Sequence, residues 1–449
     1  MNPISIRDLA FAAGAVWRGA DMPIADICTD TRKLSPGCLF VALTGENFDG
    51  HDYIEAALSK GAAAVISRRP YEDPRVMPVK DTRLSLLGIA GYRRRLIAPT
   101  VVAVTGSVGK TTTKEMAARV LSSSYKTIKT PENLNNEVGL STTILSMPED
   151  TEAAVLELGI DGPGQMAPLA RCASPDVGIV TGIGITHLAN FGSREALRRE
   201  KLNIRLGMKD ASPLIICADN DQLFDFDDQR LRVIRYGFEN TGCELRLTDL
   251  KQKGGGCDFR ILWEGKEYPA SLPVAGVHNA LDALAAFGAG VALGVDPILA
   301  AGALGSFEPW GMRQKIVRHN DFTVVEDCYN AGPESMRAAI KTLAGMEGER
   351  RIAILSDMLE LGSKEGEEHR AVGEFAAVAG IDILLCTGAL AKEYEIGANE
   401  AGFAGAFHFL DQETLFASLK DIVRPGDVLW VKGSRGMRLE NLLRRIYSL

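Results

Sequence analysis

The sequence of 449 residues lacks several features that would assign it to whole classes of protein. No segment reaches ~18 uninterrupted apolar residues, so no membrane-spanning helix is expected. The N-terminal stretch has no charged region followed by an apolar segment and a cleavage site, and we expect a cytoplasmic protein. Nothing repeats at a fixed period and no segment is low in complexity, which argues against a solenoid.

Cysteine pairs and basic runs are missing as well. The eight cysteines form no C-x-x-C pair and several lie in apolar runs, which disfavours structural zinc and predicts reduced, buried thiols. The chain has 50 Lys and Arg against 58 Asp and Glu, without a long basic run. We therefore expect no nucleic-acid-binding surface, and a small anionic substrate would need a local basic pocket.

The chain is longer than one hydrophobic core usually supports, so two to four domains are expected. Residues 1–97 hold short strand candidates such as CLFVAL and AAAVIS and predict a small α/β domain. Residues 98–311 alternate strand and helix patterns, which predicts a doubly wound, mostly parallel sheet with helices on both faces. Within them, residues 243–270 alternate with period two and predict an antiparallel insert. Residues 312–449 predict a second doubly wound, Rossmann-like domain.

The segment TGSVGKTTT after the apolar run VVAV has the features of a phosphate-binding loop, or P-loop. The usual pattern has a glycine where this chain has Val104. The physical requirements are nevertheless met, because Gly106 and Gly109 let the backbone close around an anion at the start of a helix. The composition of Lys114–Ser122 predicts that helix. The segment therefore predicts a nucleotide site.

Within this loop, Lys110 would supply charge for the terminal phosphates and the Thr111 hydroxyl would hold Mg²⁺. Ser107, Val108 and Thr112 complete the predicted phosphate site. The alternative is an ordinary glycine-containing turn between a strand and a helix. Such a turn does not require Gly-Lys-Thr-Thr-Thr directly after the strand.

Three further polar residues follow the loop, each at a strand end or in the segment beyond it. Glu157 ends an apolar strand, where a carboxylate needs a cation or could equally form a structural ion pair. His187 follows another apolar strand, where a lone histidine is more often a hydrogen-bonded loop residue than a ligand. Lys201 lies in a charged helix, and such charges are ordinarily a solvated face. Taken singly, none of the three defines a site.

The order of these features resembles the Mur ligase family, the ATP-dependent amide-bond-forming enzymes of peptidoglycan synthesis, and the related polyglutamate ligases. The family loop also lacks the first glycine, and the resemblance extends to nearly both ends of the chain. It implies catalytic roles for Lys110, Glu157, His187 and Lys201. One Mg²⁺ would use Thr111 and Glu157, and a second would use His187 and a carbamylated Lys201. A carbamate would present an anionic oxygen where an ammonium would repel Mg²⁺.

Two further segments resemble the nucleotide site of these ligases. GVHNALDALAA resembles the adenine-contacting helix, with Asn279 as the contact. A second asparagine is usual three residues later, where this chain has Asp282, and a carboxylate accepts hydrogen bonds but cannot donate them. By the same resemblance Arg313 in WGMRQ would reach the phosphates and Asp327 would bind the ribose. Both belong to the last domain, which implies that the domains close over ATP.

The strings EDCYNAGPESMRAAI and SDMLELGSKEGEEHRAVG resemble the family branch that joins D-alanyl-D-alanine to UDP-N-acetylmuramoyl-tripeptide through an acyl phosphate. No Asp-Asn-Pro-Arg string, expected of the sister branch that adds the third amino acid, occurs. The segments TDTRKLSPGCLFVALTGENFDGHDYIEAA and NLNNEVGLSTTIL resemble those that hold the UDP-linked peptide. The implied substrate residues are Thr31, Arg32, Gly45, Asp49, Gly50, His51, Asn135, Asn136, Tyr329 and Asn330.

The expected protein is a monomeric ligase that uses ATP and Mg²⁺, binds no nucleic acid and has no membrane span. Two alternatives remain within the family: the sister ligase and a polyglutamate ligase, which would share the nucleotide site and differ in the first and last domains. From another class, a nucleotide-driven P-loop switch would hydrolyse ATP without an amino acceptor.

Overall fold

The computed structural model describes residues 1–45, 47–185, 188–253 and 255–449. In this part of the chain the strands form three mainly parallel sheets, one after another in sequence, and a short antiparallel pair. The predicted α/β class with three units is therefore confirmed, whereas the boundaries at residues 97 and 311 stay predictions. None of the described helices has the length and apolar character that crossing a bilayer requires.

The first unit consists of short strands and helices. Its elements are β1 (Ile4–Ser5), α1 (Ile6–Ala12), β2 (Pro23–Ile24), β3 (Ile27–Cys28), β4 (Leu39–Val41), α2 (Ile54–Ser59), β5 (Ala64–Ser67), β6 (Val76–Pro78) and α3 (Thr82–Ile97), with a 3-10 turn at Gly50–Tyr53. The strands β3, β4, β5 and β6 lie side by side in this order and are parallel. The predicted strands CLFVAL and AAAVIS are β4 and β5.

The central unit begins with the P-loop strand and contains the longest sheet. Its elements are β7 (Thr100–Thr105), α4 (Lys110–Ser122), β8 (Thr127–Lys129), α5 (Glu137–Leu145), β9 (Ala153–Glu157), α6 (Met166–Ala173), β10 (Val177–Val180), α7 (Leu188–Phe191), α8 (Arg194–Leu202), β11 (Pro213–Cys217), β12 (Arg232–Gly237), β13 (Leu245–Lys253), β14 (Gly256–Trp263), β15 (Lys266–Leu272), α9 (Val277–Ala292) and α10 (Pro297–Leu304), with a 3-10 turn at Asn203–Gly207. The strand order is β15-β14-β13-β12-β11-β10-β7-β9-β8. Pairing is antiparallel from β13 to β15 and parallel across the rest, as predicted.

Helices cover both faces of the central sheet, which explains why the four residues of β7 between Thr100 and Thr105 are all apolar. Successive strand residues point to opposite faces. Val102 and Val104 enter a core shared with α4, α9 and α10. Val101 and Ala103 enter the other core, shared with α3, α5 and α6.

The helix after the P-loop begins at Lys110, four residues before the predicted start at Lys114. Gly109 precedes it in the left-handed conformation, with φ of 81°. The chain therefore turns directly into the helix, and the lysine and threonines of the motif form its first turn. The predicted start was wrong because these residues were assigned to the loop.

The third unit has a sheet of its own. Its elements are β16 (Lys315–His319), β17 (Phe322–Asp327), α11 (Pro333–Ala344), β18 (Arg351–Ser356), α12 (Glu365–Val378), β19 (Ile383–Thr387), α13 (Lys392–Glu400), β20 (Ala406–Phe409), α14 (Gln412–Ile422), β21 (Val428–Lys432) and α15 (Glu440–Ile446), with 3-10 turns at Gly362–Lys364 and Arg435–Met437. The strand order is β16-β17-β21-β18-β19-β20. The edge strand β16 is antiparallel to β17, and the other pairs are parallel.

The helix α3 connects the first unit to the central one and packs against α1, α5 and α6. Its residue Arg93 is 1% exposed. The guanidinium donates to both carboxylate oxygens of Glu149, over 2.8 and 2.6 Å, and to the Met147 carbonyl over 3.2 Å. This paired contact fixes the helix on the central unit.

We predict that Arg93→Met lowers the free energy of unfolding by about 2 kcal/mol, because charge-assisted hydrogen bonds are lost while the aliphatic stem still packs. Urea unfolding followed by circular dichroism measures the change. Arg95→Met on the same helix is the control, since Arg95 is exposed. Equal stability of the two variants would contradict the assigned role of Arg93.

Candidate active site

A cleft of about 650 Å³ lies between the P-loop end of the central sheet and the third unit. Its volume suits a small-molecule ligand, and open α/β sheets bind ligands outside the carboxyl ends of their strands. The predicted site residues that line it are Ser107, Val108, Gly109, Lys110, Thr111, Thr112, Asn135, Asn136, Glu157, Asn279, Asp282, Arg313, Asp327, Tyr329 and Asn330. Residues from separate sequence segments thus share one space.

The P-loop between β7 and α4 needs glycine at two positions. Gly106 and Gly109 have φ values of 152° and 81°, which residues with side chains rarely adopt. A Cβ atom at Gly106 would collide with the Thr181 hydroxyl, and one at Gly109 with the Asp282 carboxylate. The N-terminus of α4 lies at the cleft, because Lys110, Thr111 and Thr112 line it. The first amides of this helix have no partner within the helix and can bind an anion there.

Two lysine side chains converge on the carbonyl oxygen of Gly106. Lys110 Nζ donates to it over 2.8 Å and to the Ser107 carbonyl over 3.2 Å. Lys201 Nζ, from α8, donates to the same oxygen over 3.0 Å. Lys201 is 2% exposed, so the alternative of a solvated lysine is wrong. Burial lowers the pKa of Lys201 well below its ordinary value, and the charge of Lys110 lowers it further.

Glu157 ends β9 with a nearly buried side chain, 1% exposed. Its Oε1 accepts a hydrogen bond from Asn135 Nδ2 over 2.9 Å. In the described structure its buried Oε2 has no hydrogen-bond partner and lies 3.7 Å from Lys114 Nζ. The ion pair considered as an alternative is therefore present, but it leaves one carboxylate oxygen unsatisfied. Such an oxygen fits Mg²⁺, which prefers oxygen ligands.

The other predicted metal residues are placed as follows. Thr111 is 5% exposed in the first turn of α4, and His187 lies outside the described residues. Among the residues that are described, no group of three His, Cys, Asp or Glu side chains could hold a metal ion. A P-loop magnesium site needs few protein ligands, because phosphate oxygens and water complete the shell. Thr111 and Glu157 therefore fit the ion.

At the predicted adenine contact Asn279, Gln314 connects α9 to the third unit. Its Oε1 accepts from Asn279 Nδ2 over 2.6 Å, and its Nε2 lies 2.6 Å from His278 Nε2. Burial lowers the pKa of His278 to about 4, so the ring is neutral and can accept this hydrogen bond. Gln314 was not predicted as a site residue, although it directly follows Arg313 in the linker motif.

Asp282 lies on α9 with its carboxylate facing Gly109 of the P-loop, and it is 7% exposed. Its Oδ1 accepts from Thr113 Oγ1 over 3.0 Å. Burial nevertheless raises the pKa of Asp282 to about 8. A protonated carboxyl can donate a hydrogen bond, as the asparagine usual at this position can. At neutral pH the protonated Asp282 side chain can therefore donate a hydrogen bond at the position where an ionised carboxylate could not.

The opposite wall of the cleft carries the predicted ribose and acceptor residues. Asp327 Oδ2 accepts from Lys432 Nζ over 2.8 Å, and Lys432 also donates to the Asn330 carbonyl over 3.1 Å. The Arg313 guanidinium lies 3.9 Å from the centroid of the Tyr329 ring in a cation–π contact. Lys432 was not predicted as a site residue, although the sequence shows a lysine at the end of the apolar strand VLWVK.

The predicted residues of the first unit are not brought to the cleft. Asp49 accepts from His51 Nδ1 and Arg69 Nη2, both over 2.6 Å. His51 Nε2 accepts from the Arg68 amide over 3.0 Å. Both ring nitrogens of His51 are thus used inside the protein, and hydrogen bonding holds the pKa of Asp49 at about 2.

The remaining predicted residues of the first unit lie in its surface turns. The Arg32 side chain is 87% exposed and pairs with Asp30 over 2.8 Å. The Thr31 carbonyl accepts from Lys60 Nζ over 2.9 Å. Gly45 and Gly50 lie in the turn that contains Asp49, and the Gly50 amide donates to the Leu43 carbonyl over 2.7 Å. Substrate binding by all six residues stays a prediction.

Arg83, which was not predicted as a site residue, links these turns to the cleft. It lines the cleft together with Asn135 and Asn136, and its Nη2 donates to the Thr44 carbonyl over 2.8 Å. Asn136 caps α5, because its side chain accepts from the Gly139 amide over 2.9 Å. The edge of the cleft is therefore continuous with the first unit.

Comparison with known proteins places these features in a family context. The family models described as Mur ligase family, catalytic domain, as Mur ligase middle domain and as Mur ligase, glutamate ligase domain match residues 23–97, 104–290 and 312–435. The UDP-N-acetylmuramoyl-tripeptide--D-alanyl-D-alanine ligase of Bacillus subtilis is 36% identical, over 94% of this chain and 93% of its own. The Escherichia coli enzyme of the same name is 33% identical, over 99% of both.

The fold has equally extensive counterparts among solved structures. A crystal structure of MurF from Acinetobacter baumannii superposes with a TM-score of 0.91 at 28% identity and covers 100% of both chains. MurF ligase from Thermotoga maritima in complex with ADP gives a TM-score of 0.83 at 28% identity, over 94% of this chain and 97% of that one.

The environment of Asp282 generates a prediction about pH. Between about pH 4 and about pH 8 the folded chain keeps a proton on Asp282 that the unfolded chain has released. The free energy of unfolding therefore falls as pH rises through this window. Asp282→Asn has no titrating carboxyl and avoids this loss of stability. The variant should therefore have a higher free energy of unfolding than the wild type at pH 8, and this difference between the two proteins should shrink toward pH 4. Urea midpoints at both pH values test this, and a pH-independent difference would contradict it.

Proposed function

This chain belongs to the Mur ligase family, and we propose that it joins D-alanyl-D-alanine to UDP-N-acetylmuramoyl-tripeptide in an ATP-dependent reaction. The observation that carries this proposal is similarity over nearly the full length to two enzymes of that name. Such similarity includes the first and last units, which distinguish the branches of the family. The cleft between the central and third units supplies the matching site.

The reaction begins when the terminal carboxylate of the tripeptide attacks the γ-phosphate of ATP. This gives an acyl phosphate and ADP, and the amine of D-alanyl-D-alanine then displaces phosphate to form the amide. Both partners of the first step are anionic, so the site must offset charge repulsion. Lys110 and the N-terminal amides of α4 provide positive electrostatic potential beside the phosphates.

Thr111 and Glu157 are the residues that would hold Mg²⁺ at this loop. The bound ion would neutralise phosphate charge. The unsatisfied Oε2 of Glu157 supports this assignment. For Lys201, the buried position against the Gly106 carbonyl supports a role at the phosphate site. Carbamylation of Lys201 and a second ion with His187 remain part of the proposal.

The third unit would complete the site from the other side. Asp327 would bind the ribose with its carboxylate fixed by Lys432, while Arg313 would exchange its contact with Tyr329 for the phosphates when the units close. Tyr329 and Asn330 would then contact the amino acceptor. Because ATP is consumed, we infer a cytoplasmic enzyme, and a monomeric state is also proposed.

Two alternatives are less well supported. A sister ligase or polyglutamate ligase would share the nucleotide site, but the two named relatives both use D-alanyl-D-alanine by name. A P-loop switch would hydrolyse ATP without an amine. Such a function does not require the third unit, whose residues Tyr329 and Asn330 line the cleft. The amide-forming reaction accounts for both units.

The choice of acceptor tests the proposed function. With ATP and the UDP-linked tripeptide, D-alanyl-D-alanine should release ADP in equal amount to new amide, whereas L-lysine and diaminopimelate should release none. Coupled ADP detection and mass spectrometry of the product measure both quantities. If a UDP-linked dipeptide with a diamino acid is the productive pair, the branch assignment fails while the family assignment stands.

The proposed role of Lys201 is tested by Lys201→Ala. We expect a loss of turnover of at least about 100-fold, equivalent to about 2.7 kcal/mol, because a metal-bound oxygen is removed. Acetate or formate at high concentration should restore part of the rate by occupying the space. Arg199→Ala on the same helix is the control. Near-wild-type turnover of Lys201→Ala with a folded protein would exclude Lys201 from the site.

A further inference from the structure

Lys114 is a buried charged residue that the proposed reaction does not use. Its side chain is fully buried, with 0% exposure. The Lys114 ammonium donates to the Thr130 carbonyl over 2.8 Å and to the Glu132 carbonyl over 3.1 Å. It also lies 3.3 Å from Glu115 Oε1 and 3.7 Å from Glu157 Oε2. Burying an ammonium is costly, so such a residue needs a reason.

The two neighbouring carboxylates do not depend on Lys114 equally. Glu115 has a second cation, because its Oε2 forms an ion pair with Lys129. For Glu157, the described residues place no lysine or arginine other than Lys114 within ion-pair distance. Removing the Lys114 charge would therefore leave Glu157 with no cation within ion-pair distance among the described residues, while Glu115 would keep one. The charge of Lys110 acts on Glu157 only from farther away.

The carbonyls that hold Lys114 belong to a segment that also contacts Glu157. Thr130 Oγ1 accepts from the Glu157 amide over 2.9 Å. Asn135 Nδ2 donates to Glu157 Oε1 over 2.9 Å. The Lys114 ammonium thus holds the segment from Thr130 to Asn135 and faces Glu157 Oε2. The same segment binds the Glu157 amide and Glu157 Oε1.

We propose that Lys114 is a positioning residue that holds the Glu157 carboxylate, together with the segment from Thr130 to Asn135, in the arrangement that binds Mg²⁺. This inference rests on the proposed function, in which Glu157 is a metal ligand. Partners of metal ligands orient the ligating group, and their loss typically weakens metal binding by about 10- to 100-fold.

Binding of Mn²⁺ in the presence of ADP, followed by electron paramagnetic resonance, tests this inference without tripeptide or amino acceptor. Lys114→Met should weaken Mn²⁺ binding about 10- to 100-fold. The double variant Lys114→Met/Glu115→Gln removes one charge of each sign, which favours folding if the single variant is unstable. It should show the same loss, because Glu157 is again left without its cation. Lys129→Met, which removes the other partner of Glu115, should bind Mn²⁺ like the wild type.

Turnover provides a second readout. The Lys114 variants should have a raised KM for Mg²⁺, and excess Mg²⁺ should recover part of kcat, which a general loss of folded protein would not allow.

Wild-type Mn²⁺ affinity in the folded double variant would overturn the inference. Glu157→Gln separates the two proposals: if it weakens Mn²⁺ binding and the Lys114 variants do not, only this inference fails. If Glu157→Gln binds Mn²⁺ normally, the metal role of Glu157 in the proposed function fails.

Discussion

The carbonyl oxygen of Gly106 accepts hydrogen bonds from two lysines on different helices, and the arrangement of the cleft depends on this contact. The protein as a whole is acidic, with a formal net charge of −8, so a site for a triphosphate must concentrate positive charge locally. The fold does this by placing α4 and α8 beside one loop. Glycine is needed at this position because the loop backbone passes directly against Thr181 of the neighbouring strand end.

Two carboxylates beside the cleft, those of Glu157 and Asp327, partly offset this positive charge. Each of them lies beside a buried lysine. Glu157 ends β9, which pairs with β7, and therefore emerges beside the P-loop. Lys114 and Asn135 hold it from two sides. At the far wall, the Asp327–Lys432 pair follows from the register of β17 and β21, which places these two residues opposite each other. Glu157 and Asp327 thus each have a partner that belongs to the scaffold.

Much of this fold could be predicted from local sequence patterns, because buried parallel strands are continuous apolar runs. β7, β9, β10 and β11 follow this rule, and all eight cysteines are buried. β12 was not predicted, since its sequence RVIRYG interrupts the apolar pattern with arginine. The partners of the site were also missed. Lys114, Lys432 and Gln314 have meaning only through residues distant in sequence, and a single sequence does not report such contacts.

The central and third units contact each other at two places beside the cleft. Gln314 has φ of 54° and connects the third unit to Asn279, the predicted adenine contact. Glu334 of α11 accepts from the Ile185 amide over 3.2 Å, just beyond β10. The third unit is therefore joined to the central unit both beside Asn279 and beside the loop after β10. Closure of the two units over ATP, as proposed, would act on both contacts.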